Sequence, residues 1–131
     1  MAAAGIPRAG LATAASDGNP HLVPLSFIWT DGALTLATSS SSLTARNVAA
    51  TGLRIGLGDT RDVVMVDGEV TTEPVGEDPA RTEAFVAALG WDPAADGEAV
   101  FMIVRPTRIQ AWREPDELVE RTIMRGGEWL K

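Results

Sequence analysis

Apolar positions recur along the chain with two different periods, and the turn residues between them set the element boundaries. Leu11 to Ala15 is a short apolar run, ended by Ser16-Asp17-Gly18-Asn19-Pro20, residues that favour tight turns. His21 to Trp29 is rich in β-branched and aromatic residues. Thr30-Asp31-Gly32 closes it with the Asp-Gly pair that joins antiparallel strands, so Ala33 to Thr38 is the returning strand. The period then changes: Leu43, Ala45, Val48, Ala49 and Ala50 suit a short helix, with Ser42 as N-cap and Gly52 just past its end. Leu53, Ile55 and Leu57 alternate with Arg54, Gly56 and Gly58, the pattern of a half-buried strand, and Thr60-Arg61-Asp62 makes the next turn. Val63 to Val70 is apolar but interrupted at Asp67-Gly68, which predicts either two short strands or one strand with a bulge.

Glu73 to Asp78 reads as a loop. Asp78 then caps a helix that has Pro79 at its first position, runs over Ala80 to Leu89 and stops at Gly90. After a loop over Trp91 to Gly97, Ala99 to Arg105 and Arg108 to Arg113 form one long strand interrupted at Pro106, a residue tolerated at edges and bulges. Asp116 to Met124 is predicted as a short helix before the Gly-Gly tail. Short strands with two or three inserted helices match neither a βαβ alternation nor a helical bundle. The expectation is a mainly β fold, a small β-barrel with helical insertions.

The length of 131 residues suits one domain spanning 1–131. A domain of this size gains stability by covering part of its surface with a second subunit, so a homodimer is expected. The formal net charge of −7 argues against nucleic acid or an anionic membrane as a partner and requires any anionic ligand to be held by a local pocket. Cysteine is absent and His21 is the only histidine, which removes disulfide and thiolate chemistry and predicts no metal site. Met1 to Ala4 lacks a basic region followed by a long apolar stretch, and no apolar run approaches about 18 residues, so a cytoplasmic protein is expected.

There is no nucleophile elbow, phosphate-cradling Gly-Lys-Ser/Thr loop or dinucleotide fingerprint. Gly56 and Gly58 have the spacing that opens such a fingerprint, but they lie inside an alternating strand with no third glycine starting a helix. Leu36 to Asn47 is more informative. It carries a strand into a hydroxyl-rich loop and then starts a helix whose first turn offers backbone N–H groups and the positive end of the dipole, an arrangement that suits a phosphate. Arg46 stands one turn into that helix, where a guanidinium can pair with phosphate oxygens. The same residues also read as an ordinary serine-rich capping loop with a solvated arginine. His21, alone beside a turn, reads as a surface residue, and Glu114 to Glu120 as a solvated acidic face.

The succession Asp-Gly-x-Pro-His, Val-Pro-Leu-Ser-Phe-Ile-Trp, Asp-Gly, Leu-Ala-Thr-Ser and Ala-Arg-Asn, followed by Arg-Asp-Val-Val-Met-Val-Asp-Gly-Glu-Val and Pro-Thr-Arg-Ile-Gln-Ala-Trp-Arg, resembles the FMN-binding split-barrel family related to pyridoxamine 5′-phosphate oxidase, including its deazaflavin-dependent actinobacterial branch. The likeness runs from about Leu11 to Trp112. The resemblance implies a homodimer with cofactor sites at the subunit interface. Position by position, it places Pro24, Leu25 and Ser26 beside the isoalloxazine ring, largely through backbone groups, gives the phosphate to Thr38, Ser39, Ser42 and Arg46, and adds Trp112 with Arg113 from the late strand. As a strand aromatic, Trp112 reads equally as a core residue.

Thr44 stands where many relatives have a lysine that pairs with the phosphate, so one charge-assisted contact is missing. Ten residues precede the first predicted strand, where many relatives have a covering helix, which implies a more open site. The implied function is an FMN-dependent oxidoreductase passing hydride through the flavin to a small-molecule substrate. The alternatives are a reductase using the deazaflavin coenzyme F-420, and a flavin or haem binding protein without turnover.

Overall fold

A computed structural model describes residues 8–130. Strands β1 (Arg8–Ala14), β2 (Pro20–Thr30) and β3 (Ala33–Ser39) form the expected meander. Its second turn places Asp31 and Gly32 at φ of 53° and 73°, the paired positive values of a tight hairpin whose twist matches the strands it joins. Helix α1 (Leu43–Thr51) starts at Ser42, whose hydroxyl accepts from the Ala45 N–H, and ends at Gly52, φ 87°. Strands β4 (Arg54–Asp59) and β5 (Asp62–Pro74) follow, then α2 (Pro79–Leu89), capped by Asp78 and stopped by Gly90, and the long β6 (Ala99–Trp112).

Each of these six strands pairs antiparallel with two others, β1 with β2 and β4, β3 with β2 and β6, and β5 with β4 and β6. The ring is a closed barrel, which leaves no open sheet edge running its whole length. β5 is one strand, and the irregularity expected at Asp67-Gly68 is a bulge shared with β6: Asp67 pairs with Arg108 and Gly68 with Pro106, so Thr107 is the extra residue. Pro106, which has no N–H to donate, sits beside that bulge. Gly68 is required there, because a Cβ would lie 2.5 Å from the Arg105 carbonyl oxygen.

Three boundaries differ from the sequence reading. β1 begins at Arg8 rather than Leu11, with Ala9 joining Leu11 in the interior, and Glu73 and Pro74 belong to β5 rather than to a loop because they pair with Phe101 and Val100. Asp116 to Met124 is helical only as far as Glu120, and there 3-10 rather than α. Pro115–Glu120 forms a short 3-10 segment with no buried residue, and β7 (Thr122–Arg125) then turns through Gly126 and Gly127, φ 62° and 81°, into β8 (Glu128–Trp129). Leu118 and Val119 stay exposed, whereas Met124 is buried as a strand residue opposite Ile109, so burial favours the hairpin.

The barrel interior is filled by Leu11, Leu34, Leu36, Ile55, Met102 and Val104 with their neighbours. On the outside of β3 and β6, α2 presses Phe85 and Leu89 onto Phe101 and Ile103, and the Phe85 ring lies 5.2 Å from those of both Phe101 and Trp91. Burying each such side chain contributes roughly 1.5–3 kcal/mol. No described helix is long and apolar enough to cross a membrane.

Candidate functional site

β2 and β3 pair only from Phe27–Leu36 to Thr30–Ala33, so below Phe27 the two strands part and α1 fills the divergence. Three side-chain hydrogen bonds fasten the helix there. The buried Thr44 hydroxyl lies 3.2 Å from His21 Nε2, the buried Asn47 amide donates to Thr13 Oγ1 at 3.1 Å, and the Thr51 hydroxyl donates to the Ala14 carbonyl at 2.6 Å. From the sequence His21 reads as a surface residue beside a turn. It is instead half-buried and helps to hold the helix.

The split assembles the hydroxyl-rich loop. Thr38 Oγ1 and Ser42 Oγ are 3.0 Å apart, Ser42 Oγ accepts from the Ala45 N–H at 3.0 Å, and the Ser42 N–H donates to the Ser39 carbonyl. The first-turn amides of Leu43 and Thr44 have no acceptor among the described residues, and they point out of the helix where an anion would sit. Arg46 is exposed and makes no ion pair among the described residues. Thr44 is turned inward to His21 and brings no charge to the loop. One neighbour escapes the sequence reading. Glu98 reaches the same loop, accepting from Ser41 Oγ at 3.0 Å and from Ser39 Oγ at 3.5 Å. Nothing local marks Glu98, which comes beside the serines only because Ala99 pairs with Ser39.

Pro24, Leu25 and Ser26 lie on the β2 segment that has left β3. Their backbone pairs with Arg8 to Gly10 of β1 on one edge and with no strand on the other, which leaves N–H and C=O groups available to a planar ring edge. The Leu25 side chain turns into the barrel and offers only this backbone; Pro24 and Ser26 face outward. Thr38, Ser39, Ser42, Arg46 and the Pro24–Ser26 edge thus flank one split. Trp112 and Arg113 do not join them. Ser39 pairs with Ala99 at the start of β6, whereas Trp112 ends that strand, opposite Val63. Arg113 contacts Asp62 at 3.4 Å, and the Arg121 guanidinium lies 6.0 Å from the Trp112 ring centroid.

Between these two ends stretches the outer face of β2, β1, β4, β5 and β6. Its central row is Pro24, Gly10, Gly56, Met65 and Gln110. To one side, Asp67 binds Arg54 at 2.6 Å and approaches Arg108 at 3.7 Å, and its hydrogen bond and charge hold the Arg54 guanidinium above its ordinary pKa. Leu22 stands on this face 72% exposed.

A sequence model described as pyridoxamine 5′-phosphate oxidase matches residues 4–113. The chain belongs to the pyridoxamine 5′-phosphate oxidase-like split-barrel family. No curated protein matches this family member. Among solved structures it is similar to an F420 reductase, at 23% identity and a TM-score of 0.65, covering 80% of this chain and 89% of that one. It is similar to a pyridoxamine 5′-phosphate oxidase-related, FMN-binding protein from Nostoc punctiforme, at 18% identity and a TM-score of 0.60, covering 79% and 72%. A haem storage protein from Vibrio cholerae matches at 18% identity and a TM-score of 0.61, covering 78% and 83%. These likenesses establish the split-barrel fold. They span flavin-type and haem ligands, so the family alone does not choose among them.

Proposed function

We propose that the chain binds a flavin-type cofactor, FMN in the first instance, at the split between β2 and β3, in a homodimer, and acts as an oxidoreductase on a small molecule. The observation that carries this reading is the juxtaposition of an unpaired β2 backbone edge with a helix first turn that offers free amides, the Ser42 hydroxyl and the Arg46 cation. A ring edge takes up the first, and a phosphate monoester the second. Bound flavin would supply hydride transfer. The chain's part is to orient the ring through Pro24–Ser26, anchor the phosphate through Thr38, Ser39, Ser42 and Arg46, and exclude water.

The second subunit is argued from the outer face. A Cβ on Gly10 would make only ordinary contacts at 3.8 Å, and one on Gly56 would lie 3.5 Å from Met65 Sδ, so this protomer does not itself require glycine at either position. The flat central row with Leu22 exposed beside it suits close approach of an identical sheet. In such a pair, Trp112 and Arg113 complete the partner's split rather than their own.

The test is a titration of the purified protein with FMN and, separately, with the deazaflavin coenzyme F-420, followed by flavin fluorescence and repeated with Arg46→Ala. FMN binding that weakens in the variant supports the reading, binding of the deazaflavin alone moves the protein to the sister chemistry, and binding of neither overturns the cofactor assignment. Because a structural relative stores haem, a haem titration of the same samples separates a haem carrier from both.

A further inference from the structure

We infer that Glu98 is a specificity-determining residue of this split, one that opposes the phosphate of a cofactor and lowers the protein's preference for phosphorylated over unphosphorylated flavin. The inference rests on the proposed flavin site but concerns a residue that reading does not use. Glu98 is held in place by its backbone: its carbonyl accepts from the Ser40 N–H at 2.8 Å, and its own N–H donates to Asp96 Oδ1 at 2.9 Å. Its carboxylate therefore projects onto the loop, where Ser41 Oγ donates to it at 3.0 Å and Ser39 Oγ at 3.5 Å, the two serine hydroxyls being 3.0 Å from each other.

A serine hydroxyl has one proton to donate. With the Ser41 proton on Glu98, and that of Ser39 directed to Glu98 or to Ser41, neither serine presents a donor outward. A phosphate entering at Ser39 must turn these hydroxyls and then share the loop with a carboxylate of its own sign. Arg46 is the one cation supplied by the loop and helix, since Thr44 is neutral and spent on His21. An uncharged, hydroxyl-bearing chain meets no such opposition, because a carboxylate accepts from its hydroxyl groups. The loop thus carries one attractive and one repulsive charge toward the same ligand group, the arrangement by which a site discriminates between close analogues.

The experiment compares the full chain, E98Q and R46A in two titrations. Inorganic phosphate is followed through the amide NMR shifts of residues 39–46, and FMN and riboflavin are followed by flavin fluorescence. Glu98→Gln keeps the size and the acceptor oxygen while removing the charge, and at an exposed position it leaves the unfolding midpoint unchanged. The inference expects E98Q to tighten both phosphate and FMN by about threefold to tenfold, with riboflavin unchanged, and R46A to weaken the same two ligands. If E98Q leaves phosphate and FMN binding unchanged or weaker, or tightens riboflavin equally, Glu98 does not discriminate and the inference is overturned. If E98Q tightens phosphate at these amides while no form binds either flavin, the role of Glu98 stands and the flavin reading falls.

Discussion

The two helices reach the barrel by different means. α2 lays Phe85 and Leu89 on Phe101 and Ile103, an apolar contact bounded by the Trp91 ring. α1 buries Val48 in the barrel core but also Thr44 and Asn47, each hydrogen-bonded to a strand of the meander. Apolar burial contributes more free energy but tolerates alternative packings of similar volume, whereas hydrogen bonds contribute less and fix direction. α2 is accordingly where the molecule gains stability, and α1 is where it aims a loop. On the proposed reading the split between β2 and β3 needs aiming, because the groups it would offer a ligand are amides and hydroxyls that work only over tenths of an ångström.

The largest effect is expected on the α2 side. Phe85→Ala should lower the unfolding free energy by about 3–5 kcal/mol in chemical denaturation. A loss under about 1 kcal/mol would show that the α2 cluster is not the second core that its full burial implies. On the α1 side, Asn47→Ala should cost about 1–3 kcal/mol by leaving the buried Thr13 hydroxyl without its partner. It should also weaken FMN binding more than that modest loss of fold stability explains. A variant that binds FMN normally would break the idea that these bonds aim the loop. Arg46→Ala should change stability by no more than about 0.5 kcal/mol while weakening FMN about tenfold, the reverse of the Phe85 outcome. The smallest effect on folding is expected from Leu22→Asp: an unfolding midpoint close to wild type, with the proposed dimer dissociating when mass is followed by light scattering.

The local part of this organisation was legible in the sequence, because it is written in caps and turns. Ser42, Gly52, Asp78 and Gly90 bound their helices through contacts within a few residues, and the Asp31-Gly32 turn requires only the positive φ values that those two residues adopt readily. The Thr38 and Ser42 hydroxyls also meet, 3.0 Å apart, since the meander and α1 are consecutive. What depends on distant pairing was not legible. Glu98 meets Ser41 across 57 positions through the β3–β6 ladder, and His21 meets Thr44 only because β2 and β3 part. The terminal hairpin was hidden for a related reason. Asp116 to Met124 has residues that suit a helix, but the β6 segment that buries Met124 decides its conformation. Trp112 could be placed on a strand, yet which end of the barrel it occupies follows from closure alone.

The central claim, a cofactor site completed by a second copy of the chain, is tested most directly by complementation. Arg46→Ala and Trp112→Ala homodimers should each bind FMN weakly. Co-folded in equal amounts, they should recover wild-type affinity in about a quarter of the sites, because each mixed dimer contains one intact site and one doubly altered site. Recovery of that fraction, read from the amplitude of the tight phase in flavin fluorescence, is the result predicted here. No recovery on mixing, with both variants still dimeric and folded, would contradict a site shared between subunits.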